Sequence, residues 1–208
     1  FEAISYGRDL ADQLSTSCIA ISIGDKGPEN LGQYGAHQEI NVQGDVYKTF
    51  NPNTYAKTIS ELSSNVDGQI IILSQTYTGK SIAPLIAIKQ EAALVTGIIG
   101  MANTSEGFQV KTTAFSNKAV AHIQINQAKK ILSIIPNSYQ VNTYDSTSEV
   151  ISHNINISQE DVNTNIVKTE KETGKISLTE AELVISAGRG LKSAENWNLV
   201  EDLAEALG

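Results

Sequence analysis

Apolar residues repeat at helical spacing from the first position: Phe1, Ile4, Gly7, Leu10, Ala11 and Leu14 share one face, while Glu2, Arg8, Asp9 and Asp12 take the other. Residues 1–14 therefore read as an amphipathic helix, and since an α/β domain normally places a strand ahead of such a helix, the true amino terminus is expected to lie upstream. The run CIAISIG at 18–24 is apolar and ends at glycine, as a buried parallel strand would. Residues 25–35, punctuated by Gly27, Pro28, Gly32 and Gly35, read as a loop, and 38–49 as a strand and its exit. Asn53 is expected to cap a helix whose apolar face carries Tyr55, Ile59, Leu62 and Val66, with Asp67 and Gly68 closing it. QIIILS at 69–74 is the most strand-like run of the chain. Strand, helix and strand in this order predict a right-handed crossover and a parallel sheet. A helix through Leu85 and Ile88, with Pro84 in its first turn, then leads to a strand over 94–99.

The periodicity changes after Gly107. Residues 108–115 and 119–125 are strand-like and are joined by the short polar link Ser116-Asn117-Lys118, which predicts an antiparallel hairpin added to the parallel sheet. In its second arm Ala119, Ala121, Ile123 and Ile125 share a face, and His122 lies on the opposite, half-exposed one. KILSII at 130–135 predicts another buried strand, stopped by Pro136. From 137 to 175 the chain is rich in Asn, Ser, Thr and charge; VISHNINI can pair as an edge strand, whereas EKETGK at 170–175 reads as a solvated linker. The expected organisation is an α/β domain over 1–167 and, over 168–208, a linker and the start of a second domain.

The carboxyl-terminal stretch LVISAGRGLKSAENWNLVEDL is the part that speaks most about chemistry. Residues 183–187 suit a buried strand, Gly188-Arg189-Gly190 a tight turn, and the following residues a helix with Trp197, Val200, Leu203 and Leu207 on one face. Such a junction leaves N–H groups unpaired at a helix start, where the dipole favours an anion, and Arg189 adds a fork of donors. The third glycine of a dinucleotide fingerprint is replaced by Ser193. On pattern alone, a phosphate site and a plain turn with Arg189 paired to Glu195 or Asp202 both remain open.

The wider run LTEAELVISAGRGLKSAENWNLVEDLAEALG resembles the start of the flavin domain in the alpha subunit of electron-transfer flavoproteins, whose hallmark is a Gly-Arg-Gly turn followed by Leu and a Ser-x-Glu-Asn segment. The likeness continues through FEAISYGRDLADQL, IIILSQTYTGKSIAPLIAIKQEAALVTGI and KILSIIPNSY, so it covers most of the chain. Ala187 and Ala194 depart from it, standing where the family more often has glycine. The resemblance implies an FAD-containing electron carrier with Gly188, Arg189 and Gly190 at the cofactor, in a site left incomplete because the later family segments that hold most of the flavin follow Gly208. It also implies a beta subunit as partner, acyl-CoA or other dehydrogenases as electron donors, and a quinone reductase as acceptor. The implied fold is α/β: a mainly parallel sheet flanked by helices with an antiparallel hairpin addition, followed by the first strand, turn and helix of a second α/β domain.

Composition narrows the alternatives. A net charge of −8 argues against a nucleic-acid surface, 40% hydrophobic content over 208 residues is ample for a core, and no apolar run reaches membrane-spanning length. Cys18 is the only cysteine, so no disulfide framework exists, and a reducing interior, a bacterial cytoplasm ahead of a mitochondrial matrix, is the natural expectation. With no histidine near it in sequence, Cys18 reads as core. Gly79-Lys80-Ser81 suggests a phosphate loop, but Ser74 stands where that motif needs its first glycine, so a helix start is favoured. No paired carboxylates, nucleophile elbow or metal-ligand spacing marks a catalytic centre. An electron carrier needs none of these, because its cofactor does the chemistry. The competing expectation is an adenine-nucleotide-binding regulatory module, complete within residues 1 to about 150, with its ligand at the carboxyl ends of the parallel strands.

Overall fold

Helix α1, Glu2–Gln13, turns Tyr6, Leu10 and Ala11 inward, while Phe1 and Leu14, expected on the same face, remain exposed at its ends. In the computed structural model residues 1–24, 30–151, 155, 157, 162, 164, 166–168, 170, 178, 181 and 183–207 are described. They fall into two units, Phe1–Ile166 and Val167–Gly208.

The first unit carries two sheets. Strands β1 (Ile19–Ile23), β2 (Gln38–Val42) and β8 (Glu149–Ile151) form a parallel sheet with β2 in the middle. In the second sheet, β3 (Ile70–Ser74), β7 (Lys130–Ile134) and β4 (Ala93–Ile98) are parallel, and the hairpin of β5 (Gln109–Ala114) and β6 (Ala119–Gln124) adds antiparallel to β4. The α/β class and the hairpin are as expected. The crossover is not, since β2 and β3 belong to different sheets and helix α2 (Pro52–Asn65) carries the chain from one to the other. A right-handed parallel crossover would have needed the two strands in one sheet. The parallel crossover in the second sheet is instead β3, helix α3 (Tyr77–Gln90) and β4, with β7 inserted between the strands.

Alternation along β7 shows how that sheet is buried on both faces. Leu132 and Ile134 join Tyr6 and Leu10 of α1 on one side, while Ile131 joins Ala56 and Ile59 of α2 and Ile82, Ala83 and Ile86 of α3 on the other. Strand β4 keeps its allegiance to the α1 side only by a bulge: Gly97, at φ +77, shifts the register between Thr96 and Ile98, so that Val95 and Ile98 both face α1. Leu62 of α2 turns to the first sheet, where it meets Ile40, Val42 and Tyr47.

Several local expectations are corrected. The cap of α2 is Asn51, not Asn53: Pro52 supplies the preset φ of the first turn, and the Asn51 side chain accepts from the N–H groups of Asn53 and Thr54. Asp67, at φ 51, takes the left-handed position that closes this helix, and the Gly68 N–H reaches the Ser63 carbonyl at 2.7 Å. In α3, Pro84 lies well inside the helix, on its exposed side, where it forgoes the hydrogen bond to the carbonyl four residues back, and Ile88 is exposed. Residues 152–154, 156, 169 and 171–177, which include half of the expected edge strand and most of the expected linker, lie outside the described residues, as do 25–29 of the first loop.

Tyr6 is completely buried; its hydroxyl accepts from the Ala102 N–H at 3.0 Å and donates to the Gly100 carbonyl. Burial pushes its phenol up to about 12, with the Ala102 hydrogen bond acting weakly the other way. The native state therefore keeps a proton that the unfolded chain releases above about pH 10, so this contribution is intact below pH 10 and lost as pH rises through about 12. Urea midpoints measured from pH 8 to 12 should fall above pH 10 in the wild type and fall less in Tyr6→Phe; parallel curves would assign the alkaline loss to other groups.

Candidate functional site

In the second unit, residues 183–187 are not a strand: no described residue pairs with them, and Leu183 and Val184 are exposed. A ladder requires a neighbouring strand, and none among the described residues runs beside this segment. The turn and the helix are formed. Gly188 is extended, at φ −138 and ψ −152, and Arg189–Leu191 winds into a 3-10 turn closed by the Leu191 N–H on the Gly188 carbonyl at 3.0 Å. A second 3-10 turn, Ala194–Trp197, runs straight into helix α4, Asn198–Leu207.

Gly188, Arg189 and Gly190 are all exposed, and Arg189 has no ion-pair partner among the described residues, neither Glu195 nor Asp202 included. A Cβ built on Gly188 or Gly190 would meet no atom within 4 Å. Nothing among the described residues thus demands glycine at either position. What their missing side chains leave is open approach to backbone at the start of a helical turn, where the first N–H groups have no acceptor within the turn. Two such N–H groups beside a guanidinium make a donor set suited to a phosphate.

Beyond the glycines the backbone is constrained. Lys192 sits at φ 62 and ψ −41, and the Ser193 N–H donates to the Leu191 carbonyl at 2.7 Å, which together make a γ-turn of the rare, strained kind. The Asn196 side chain donates to the same carbonyl at 2.7 Å, and the Ser193 hydroxyl accepts from the Glu195 N–H at 3.3 Å. Arg189 stood out in the sequence through its flanking glycines; Lys192 did not, because a positive φ at lysine leaves no compositional trace.

The first unit offers less. Gly79-Lys80-Ser81 lies inside the first turns of α3, where Thr76 Oγ1 accepts from the Gly79 N–H at 3.2 Å and occupies the position a phosphate would need. A depression of about 430 Å³ at the carboxyl end of β2 is lined by Asn41, Gln43, Gly44, Asp45 and Tyr47, with no cation among its described lining residues. Cys18 does have a histidine beside it in space: its N–H donates to His37 Nδ1 at 2.9 Å. The imidazole is thereby held by backbone, and burial pushes the thiol up to about 11, which leaves no thiolate nucleophile at neutral pH. His122 is exposed on β6, His153 is outside the described residues, and no cluster of metal-ligand side chains exists among the described residues. No described helix is long and apolar enough to cross a membrane.

Residues 1–158 match the family described as the electron transfer flavoprotein domain, and residues 177–208 the electron transfer flavoprotein FAD-binding domain. Over its whole length the chain is 28% identical to an electron transfer flavoprotein subunit alpha of Thermoanaerobacterium thermosaccharolyticum and 26% identical to that of Bacillus subtilis, in each case covering 65% of the relative. It is 26% identical to the acryloyl-CoA reductase electron transfer subunit beta of Anaerotignum propionicum, of which it covers 66%. The chain thus spans about 65% of the length of the first two relatives.

Proposed function

Because this chain belongs to the electron transfer flavoprotein family, we propose that it works in the alpha subunit of a two-subunit electron carrier, with residues 1–167 as a scaffold domain and 168–208 as part of the FAD-binding domain. FAD supplies the redox chemistry when bound. The chain's own part is to hold it, and we assign Gly188, Arg189 and Gly190 to its pyrophosphate. The observation that carries this is the open glycine-flanked turn, whose Arg189 has no ion-pair partner among the described residues, inside the stretch that matches the FAD-binding family. The donors fit: two N–H groups and a planar guanidinium match two phosphates, and no described acidic side chain pairs with that guanidinium.

On this reading a beta subunit completes the carrier, acyl-CoA or other dehydrogenases reduce it, and a quinone reductase oxidises it. The bacterial sources of the relatives support a bacterial cytoplasm as its place of work. The test is Arg189→Ala and Arg189→Lys in the full-length alpha subunit co-expressed with its beta partner. Loss of a charge-assisted contact should weaken FAD by about 1.5–3 kcal/mol, or about tenfold to a hundredfold, with lysine restoring only part. An alanine variant that binds FAD as the wild type does, yet melts lower, makes Arg189 a structural cap and removes the site.

A further inference from the structure

A lysine in a γ-turn of this sign is held there only if its surroundings overdetermine it, because the conformation is costly and an unconstrained chain would leave it. Here the constraint is visible. The Leu191 carbonyl accepts from the Ser193 N–H and from Asn196 Nδ2, both at 2.7 Å, and the Ser193 hydroxyl is itself fixed on the Glu195 N–H. Of these groups Asn196 alone reaches the carbonyl through a side chain, so it can be removed without altering the backbone.

We propose that Asn196 is the positioning residue of the Gly188–Gly190 turn: by holding the Leu191 carbonyl, it keeps Lys192 strained and the turn preshaped, so that Arg189 and the neighbouring N–H groups meet a phosphate without rearrangement. This rests on the assignment of that turn to the FAD pyrophosphate. The physical gain is twofold. A carbonyl oxygen free to swing toward the turn would set its negative end against the phosphates, whereas an oxygen engaged by Asn196 and Ser193 is directed to the downstream turn. An ordered turn also spares the ligand the entropy of ordering it, and preorganisation of this kind appears as affinity. Asn196 acts through the turn and does not itself touch the ligand.

The experiment uses the full-length alpha subunit with its beta partner and measures the FAD dissociation constant and the melting temperature of the FAD-free complex. Asn196→Leu, near in volume and neutral, and Asn196→Ala are each made alone and combined with Arg189→Ala. Each single Asn196 variant should weaken FAD about three- to tenfold, the range of one lost hydrogen bond. The FAD-free complex should melt within about 2 °C of wild type, because relief of strain at Lys192 offsets the lost bond. In the Arg189→Ala background the same substitutions should cost less than about twofold, since the group being positioned is gone. Unchanged FAD affinity in Arg189→Ala overturns the site assignment itself. A weakened Arg189→Ala, together with Asn196 variants that bind normally, lose the same factor in both backgrounds, or lose affinity only in proportion to a lower melting temperature, overturns the positioning role alone.

Discussion

Gly79→Ala is expected to destabilise the first unit by about 3 kcal/mol or more, among the largest effects of any single methyl group in the chain. The Cβ it adds would lie 1.9 Å from the Ser74 carbonyl oxygen and 3.1 Å from the carbonyl carbon, backbone atoms at the end of β3. Neither side can yield cheaply. Ser74 is in ladder register with Ile134, the Gln75 N–H is bonded to the Ile134 carbonyl at 2.7 Å, and the Gln75 side chain accepts from the Gly97 N–H. On the helix side, Thr76 Oγ1 holds the Gly79 N–H. Relief therefore requires α3 to back away from the sheet, opening the Ile82, Ala83 and Ile86 contacts with Ile131. Urea unfolding followed by circular dichroism gives the comparison. An alanine variant within about 1 kcal/mol of wild type would mean that the β3–α3 turn has slack. The same tightness disposes of the phosphate-loop reading, because a loop that wraps phosphates needs open space where this turn has none.

Asp9→Ala should cost about 2–4 kcal/mol, although the sequence pattern places Asp9 on the solvent face of α1. Its carboxylate accepts from Tyr139 at 2.5 Å, Tyr144 at 2.8 Å and the Asn142 amide at 3.1 Å. Ser5, one turn earlier, accepts from the Asn142 N–H and donates to the Tyr34 carbonyl, so α1 binds the returning segment at two levels. Burial, then the Asp9 carboxylate, drive the Tyr139 phenol well above the ordinary tyrosine range, as expected when an anion accepts its proton. Removing the acceptor strands three half-buried donors at once, and that penalty exceeds the loss of an average hydrogen bond. Asp9→Asn keeps one acceptor without the charge and should fall between. Hydrogen exchange across residues 137–146 should rise in the alanine variant by more than the global loss accounts for; if stability and exchange both stay at wild-type values, the cluster contributes nothing.

Two kinds of pattern were legible: α1 and the β5–β6 hairpin alternate between an inner and a wetter face, while β3, β4 and β7, in the sheet covered on both faces, read as continuous apolar runs, and all of them stand where those patterns place them. Helix α3 was harder, for its residues Ile82, Leu85, Ile86 and Ile88 are apolar around most of the circumference, and only packing decides that Ile86 is buried and Ile88 exposed. The partition into two sheets leaves no local mark, because strand partners are chosen by contacts distant in sequence. Asp9 was misplaced for a related reason: its partners, Tyr139, Asn142 and Tyr144, come from the far end of the unit. In the candidate site, the glycine-flanked Arg189 was legible as composition, while the strained Lys192 and the reach of Asn196 back to Leu191 are geometry, which composition does not encode.

The position of β7 between β3 and β4 also dictates when the second sheet can exist. Both outer neighbours, and the hairpin after them, leave the ribosome before residue 130, so β3 and β4 emerge facing a lane that nothing yet fills. The hairpin, whose arms are joined by a short turn, can pair on a microsecond scale as soon as it is made. The parallel centre has to wait for Ile134 and then closes two ladders with a single strand. Until that moment the nascent chain carries two unpaired strand edges rich in isoleucine, leucine and valine, the kind of surface that recruits chaperones or neighbouring chains.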